Sequence, residues 1–184
     1  MKLQFKYDIY TTCKVIMKEN LDKLGFPYEI TGLGEIEVKC DLSSCQYEEL
    51  KESIKKYGIE LISDPKNSVA QRIKDVIIEM VYMEEKRPNL NTSDYIADKM
   101  NLSYGYLSSV FAEVTYTSIG NFIILHRIEY AKQLISEGTL NLTEIAWKLN
   151  YSSLAHLSNQ FKKTTGLAPT TFQRIIKMRN NTNS

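Results

Sequence analysis

Apolar residues recur along the chain with two different periods. Leu3, Phe5, Tyr7 and Ile9 alternate with polar neighbours, the period of a half-buried strand. The spacing then changes to three and four. Ile16, Met17, Leu21 and Leu24 share one face of a helix capped by Thr11 or Thr12 and ended by Gly25. Phe26–Ile30 reads as a second strand, Gly32 and Gly34 bracket a turn, and Ile36, Val38 and Cys40 alternate on a third. Ser43 or Ser44 opens a second helix ending at Gly58, with Leu50, Ile54 and Tyr57 inward. Ile59–Ile62 is a short fourth strand.

The order βαββαβ predicts a ferredoxin-like α+β domain over residues 1–66. Ser63–Ser68 (SDPKNS) reads as a polar linker. From residue 67 to 184 only the helical period remains, which predicts an all-α domain of about seven helices. Val69–Met83 turns Ile73, Val76, Ile77 and Met80 inward, and the polar run 84–88, ending in Pro88, breaks it. Thr92 or Ser93 caps Tyr95–Met100, Ser103 opens a helix with Leu107 and Phe111 inward, and Ile119–Glu137 is a long helix. Asn141 or Thr143 caps the next, with Ile145, Ala146 and Leu149 inward and an end near Asn150, a residue that tolerates a left-handed conformation. Ser152 or Ser153 then caps a helix with Leu154, Leu157, Phe161 and Thr165 on one stripe. Ser152, His156, Asn159 and Lys163 lie roughly opposite. Gly166 closes it, and Pro169 stands where another helix begins.

A short helix, a tight turn and a second helix with a polar outer face form a helix-turn-helix pattern, although a plain helical hairpin shows the same periodicity. The pattern occurs twice. Ile96, Ala97 and Asn101 match Ile145, Ala146 and Asn150 at an offset of 49. Leu107, Ser108, Phe111 and Phe122 match Leu157, Ser158, Phe161 and Phe172 at an offset of 50. The two units cover about 92–116 and 142–166, joined by a helix over about 119–137. Charge favours the DNA-binding form. Net charge is only +1, yet Glu144 is the last acidic residue and six Lys and Arg follow it. Such one-sided clustering suits the phosphates of a duplex.

These residues carry a family resemblance. HRIEYAKQLI (126–135), LTEIAWKLNY (142–151) and FKKTTGLAPTTF (161–172) resemble the DNA-binding domain of the AraC/XylS transcription regulators, over roughly Val69 to Lys177. The resemblance implies two recognition helices entering successive major grooves, about 34 Å apart, with tandem half-sites about 10 bp apart. Expected base contacts are Ser153, His156, Asn159 and Gln160 in the second unit and Tyr104, Tyr106 and Ser109 in the first. For His156 the alternative is an ordinary exposed histidine. Expected phosphate contacts are Lys148, Lys162, Lys163, Arg174 and Lys177. Arg127 falls on an arginine that recurs in the family, where it supports the fold as much as it touches phosphate. Trp147, the one tryptophan, is expected to pack. The first recognition helix departs from the pattern. It lacks Arg, Lys, Asn and Gln, Glu113 stands where the second unit has Lys163, and Tyr116 replaces the glycine found at Gly166.

Residues 1–66 resemble the heavy-metal-associated domain of metallochaperones, with its MxCxxC loop degenerate. Over Asp8–Cys13, Tyr10 takes the first cysteine's place and Cys13 alone remains. One thiolate is a weak ligand for a soft ion, which leaves metal handling through Cys13 and a second thiolate as the alternative function. Cys40 would lie near the same sheet edge, but it continues the Ile36/Val38 face toward the core. No resident cofactor is expected. The expected partners are double-stranded DNA, RNA polymerase and a second copy bound through the N-terminal unit. Three cysteines without a disulfide spacing, a start without an apolar signal segment and no membrane-length apolar run predict a cytoplasmic protein with no membrane contact. No nucleophile elbow, P-loop or metal-ligand helix motif points to an enzyme.

Overall fold

The computed structural model describes residues 3, 5, 8–32, 34–82 and 91–182. Among them the elements run α1 (Ile9–Leu24), β1 (Tyr28–Gly32), β2 (Glu35–Val38), α2 (Ser44–Lys55), α3 (Pro65–Tyr82), α4 (Thr92–Met100), α5 (Tyr104–Thr115), α6 (Ile119–Glu137), α7 (Leu142–Lys148), α8 (Leu154–Thr165) and α9 (Pro169–Thr182). Two compact units result, Met1–Val76 with Asn91–Val110, and Ile77–Leu90 with Phe111–Ser184. Helix α3 passes without a break through positions 66 and 67.

In the first unit β1 and β2 form an antiparallel hairpin, pairing Tyr28 with Val38 and Ile30 with Ile36. Tyr28, Ile36 and Val38 pack on a small core of Leu21 and Phe26 with Leu50 and Ile54 of α2. The four-stranded ferredoxin-like sheet is not found, since the described residues form a two-stranded sheet only. The first predicted strand loses to a helix cap. Asp8 accepts from the Thr11 amide at 3.3 Å through Oδ1, and its carbonyl accepts from the Thr12 amide at 3.0 Å. The helix therefore starts at Ile9, two residues before the predicted caps, and takes Ile9 out of the alternating run. Leu3 and Phe5 are exposed and lie outside any strand; Gln4, Lys6 and Tyr7 of the predicted strand lie outside the described residues. Ile59 and Leu61 do face the core, but as plugs from an irregular segment with no strand partner among the described residues. The predicted linker is also helical from Pro65. Asp64 Oδ1 accepts from the Lys66 and Asn67 amides at 2.7 and 3.0 Å, and proline suits the first helical position. The predicted break at 84–88 lies outside the described residues.

Asp75 on α3 is 8% exposed. Gly34, at φ +70°, makes room for it, because a Cβ there would come within 3.2 Å of Asp75 Oδ2. Gln71 Nε2 donates to Asp75 Oδ1 at 2.9 Å, and Arg72 pairs with Glu35 at 3.3 Å. Desolvation pushes the Asp75 carboxyl from 3.8 up to about 6, against the Gln71 hydrogen bond and the charge of Lys74. A carboxyl whose folded value is raised contributes most in its protonated form, and that contribution fades as pH rises through about 6. Asp75→Asn is therefore expected to gain on the wild type by about 1.4 kcal/mol between pH 5 and pH 7.5, the part of the shift not already lost below pH 5. Urea unfolding of both proteins at the two pH values measures it; parallel curves would show that Asp75 does not titrate on folding.

In the second unit α6 packs against α7, α8 and α9. The core joins Ile128, Ala131, Leu134 and Ile135 of α6 with Ile145, Ala146 and Leu149, then Tyr151, Leu157 and Phe161. Phe172 of α9 lays its ring 5.6 Å from that of Phe161. The small Ala146 lets α7 lie close against its neighbours, and it is fully buried.

The ends of α5 and α8 show what the Tyr116 substitution costs. Gly166 ends α8 at φ +79°, and Tyr116 stands after α5 at φ +56°, 94% exposed. A tyrosine in the left-handed region carries about 1 kcal/mol of strain that glycine avoids. Tyr116→Gly is expected to stabilise by roughly that amount, since the exposed ring buries little. Thermal unfolding of the variant is the check, and a lower midpoint would mean the ring makes contacts worth more than the strain.

Candidate nucleic-acid interface

The second helix-turn-helix is built by interlocking caps. Asn141 Oδ1 accepts from the Thr143 and Glu144 amides at 2.9 and 3.0 Å, and Glu144 Oε2 accepts from the Asn141 amide at 2.7 Å. The turn after α7 is made by Asn150 at φ +60°, as its tolerance for that region predicts, and the Tyr151 amide donates to the Ala146 carbonyl at 2.9 Å. Ser153 then caps α8, its hydroxyl accepting from the His156 amide at 3.1 Å.

Helix α8 buries Leu157 and Phe161 and turns Ser153, His156 and Asn159 to solvent, with Gln160 half-buried at the margin. Lys162 and Lys163 are exposed in its last turn, Lys148 on α7, and Arg174 and Lys177 on α9. The Lys148 ammonium lies 5.7 Å from the Tyr130 ring centre. In the first helix-turn-helix, Asn101 takes the left-handed position at φ +52°, and the Ser103 hydroxyl accepts from the Tyr106 amide at 3.4 Å. On α5, Tyr106, Ser109 and Glu113 are exposed and Tyr104 is half-buried.

Three placements differ from expectation or were missed. Trp147 does not pack: it is 70% exposed, because the stripe that buries Ile145 and Leu149 turns it outward. Cys40 is exposed instead of core-facing, and without the first strand it shares no sheet edge with Cys13. Among the described residues no group of three or more His, Cys, Asp and Glu could hold a metal ion. Periodicity alone does not reveal a polar contact between α6 and the turn before α8. Tyr151 is 6% exposed, and its hydroxyl and Arg127 Nε lie buried without a hydrogen-bond partner among the described residues. The Arg127 guanidinium sits 6.0 Å from the Tyr151 ring centre. Burial pulls the guanidinium down from its ordinary value and pushes the phenol up.

Two capped helix-turn-helix units, the second with an exposed polar helix flanked by lysines, define a DNA-binding protein of the helix-turn-helix class. Comparison with known proteins agrees. Residues 96–175 match a family described as a helix-turn-helix domain. Over 118 residues the chain is 30% identical to the HTH-type transcriptional regulator in the cgkA 5′ region of Pseudoalteromonas carrageenovora, covering 62% of this chain and 70% of that one. It is 26% identical over 132 residues to the HTH-type transcriptional regulator YtdP of Bacillus subtilis, covering 70% of this chain but 17% of the relative. The fold matches the C-terminal domain of AraT, a response regulator from Geobacillus stearothermophilus, with a TM-score of 0.52 at 23% identity, over 61% of this chain and 88% of that one. The chain belongs to the family of helix-turn-helix transcriptional regulators. It spans most of the first relative and a small part of the second.

Proposed function

We propose that this regulator reads tandem half-sites about 10 bp apart in double-stranded DNA, with α8 carrying most of the sequence preference. The observation that carries this reading is the contrast between the two recognition helices. The exposed set on α8 offers His156 and Asn159, with Gln160 at its edge, and Asn or Gln pairs well with adenine. The exposed set on α5 offers Tyr106 and Ser109, with Glu113 where α8 has Lys163. Tyr104, Tyr106 and Ser109 then supply shape, methyl and phosphate contacts. Ser153 joins the base-reading set at the start of α8. Lys148, Lys162, Lys163, Arg174 and Lys177 hold phosphates and fix the register. RNA polymerase and a second copy bound through the N-terminal unit are the further partners this reading proposes.

The test compares His156→Ala, Asn159→Ala, Ser109→Ala and Glu113→Lys on selected duplexes. The two α8 variants are expected to relax base preference. Glu113→Lys is expected to tighten binding to all sequences alike, because a phosphate-facing charge carries no sequence information. If Ser109→Ala relaxes preference as much as the α8 variants do, the unequal division of labour is wrong.

A further inference from the structure

The turn of the second helix-turn-helix is one residue longer than that of the first. Two residues, Leu102 and Ser103, separate the left-handed Asn101 from the start of α5. Three residues, Tyr151, Ser152 and Ser153, separate the left-handed Asn150 from the start of α8. Both turns end in a serine that caps its helix through the third residue along, Tyr106 in one case and His156 in the other. Against that common frame the added residue is Ser152. Its hydroxyl lies 3.1 Å from His156 Nδ1. Its neighbour Tyr151 sets its ring 5.1 Å from the imidazole at an interplanar angle of 86°, an edge-to-face contact. Tyr151 is itself fixed, at 6% exposure, whereas Leu102 is 39% exposed at the matching place.

We infer that Tyr151 and Ser152 are positioning residues for base reading: the ring sets the plane of the His156 imidazole and the hydroxyl occupies Nδ1, so Nε2 alone is presented to a base edge. An exposed histidine on a helix ordinarily samples several rotamers and offers either ring nitrogen. Here one nitrogen is engaged from within the turn, and the hydroxyl holds it in either tautomer. With Ser152 donating to Nδ1, Nε2–H is a donor suited to guanine N7 or O6, or to thymine O4. The Tyr151 hydroxyl makes no hydrogen bond among the described residues, so the ring and not the phenol carries the role. The first unit has no counterpart to this device. Its turn lacks the added serine, and Tyr106 stands at the place of His156.

The inference rests on the proposed reading by α8, and two measurements on the same four variants separate the two. The first uses the free protein. The chain has two histidines, so His156→Ala assigns the His156 imidazole signals in a nitrogen–proton correlation spectrum. Tyr151→Leu and Ser152→Ala are expected to shift those signals, and Tyr151→Phe to leave them in place. The second is binding to the selected duplex and to single-base substitutions of it. His156→Ala, Ser152→Ala and Tyr151→Leu are expected to lose preference at one and the same base position, roughly tenfold, with the salt dependence unchanged. Tyr151→Phe is expected to read as the wild type does. Full preference at that position in Ser152→Ala and Tyr151→Leu would overturn the inference while leaving reading by α8 intact. Imidazole signals that ignore both substitutions would overturn it as well. A wild type that selects no motif would sink the reading itself, and the inference with it.

Discussion

Phe161→Ala is expected to cost about 3–5 kcal/mol, the range for emptying a fully buried phenylalanine site. The side chain is 0% exposed and lies where α6, α7 and α8 meet. Its ring faces that of Phe172 at 5.6 Å, so α9 loses its partner as well. A small domain has roughly 5–15 kcal/mol in total, so the variant should stand close to unfolded at 37 °C. Urea unfolding measures the loss. DNA binding should fall for every sequence at once, because α8 itself is no longer held. Phe161→Leu refills most of the volume and should cost far less. If the alanine variant unfolds like the wild type, the core of this unit is not where the structure places it.

The second large effect is electrostatic. Replacing both Lys162 and Lys163 by alanine removes two exposed charges from the last turn of α8. If each holds one phosphate, the slope of log affinity against log salt should become shallower by about 2. At about 0.1 M salt that corresponds to a loss on the order of 10–100-fold, equal for specific and random duplexes. Binding measured at several salt concentrations distinguishes this from a base contact. His156→Ala should do the opposite, lowering affinity only for the preferred sequence. A double-lysine variant with an unchanged salt slope would place the DNA on another face.

What could be read from the sequence divides along the chain for physical reasons. The helical half was legible because its signals are local and occur twice. Asn101 and Asn150 both end short helices in the left-handed region, and Asn141 with Glu144 forms a reciprocal cap. Leu107 with Phe111 and Leu157 with Phe161 are buried at the same spacing. At Trp147 helical phase outweighs residue type. The spacing that buries Ile145 and Leu149 already turns position 147 outward.

The N-terminal part is less legible because a strand needs a partner, and no single segment shows one. Alternation over Leu3–Ile9 suits a strand, but Asp8 offers a helix cap at closer range. Ile59 and Leu61 alternate as a strand would, yet only fill the core. The burial of Asp75 is tertiary in the same sense. Its place on α3 is half-polar, and it becomes dry because the hairpin turn at Gly34 closes over it. In the interface the outward faces of α5 and α8 follow from helical phase. The support beneath His156 does not, since Tyr151 and Arg127 meet only after α6 and the turn have packed.

The most direct test of the account is selection of duplexes from a random pool by the intact chain, at low and at moderate salt. Two helix-turn-helix units in one chain predict a motif of two half-sites in the same orientation, about 10 bp apart, still recovered at moderate salt. The half-site with the stronger base preference should be the one that His156→Ala relaxes. Retention that is sequence-blind and gone at moderate salt would contradict the account, and so would a palindromic motif, which calls for a symmetric pair of chains in place of two units in tandem.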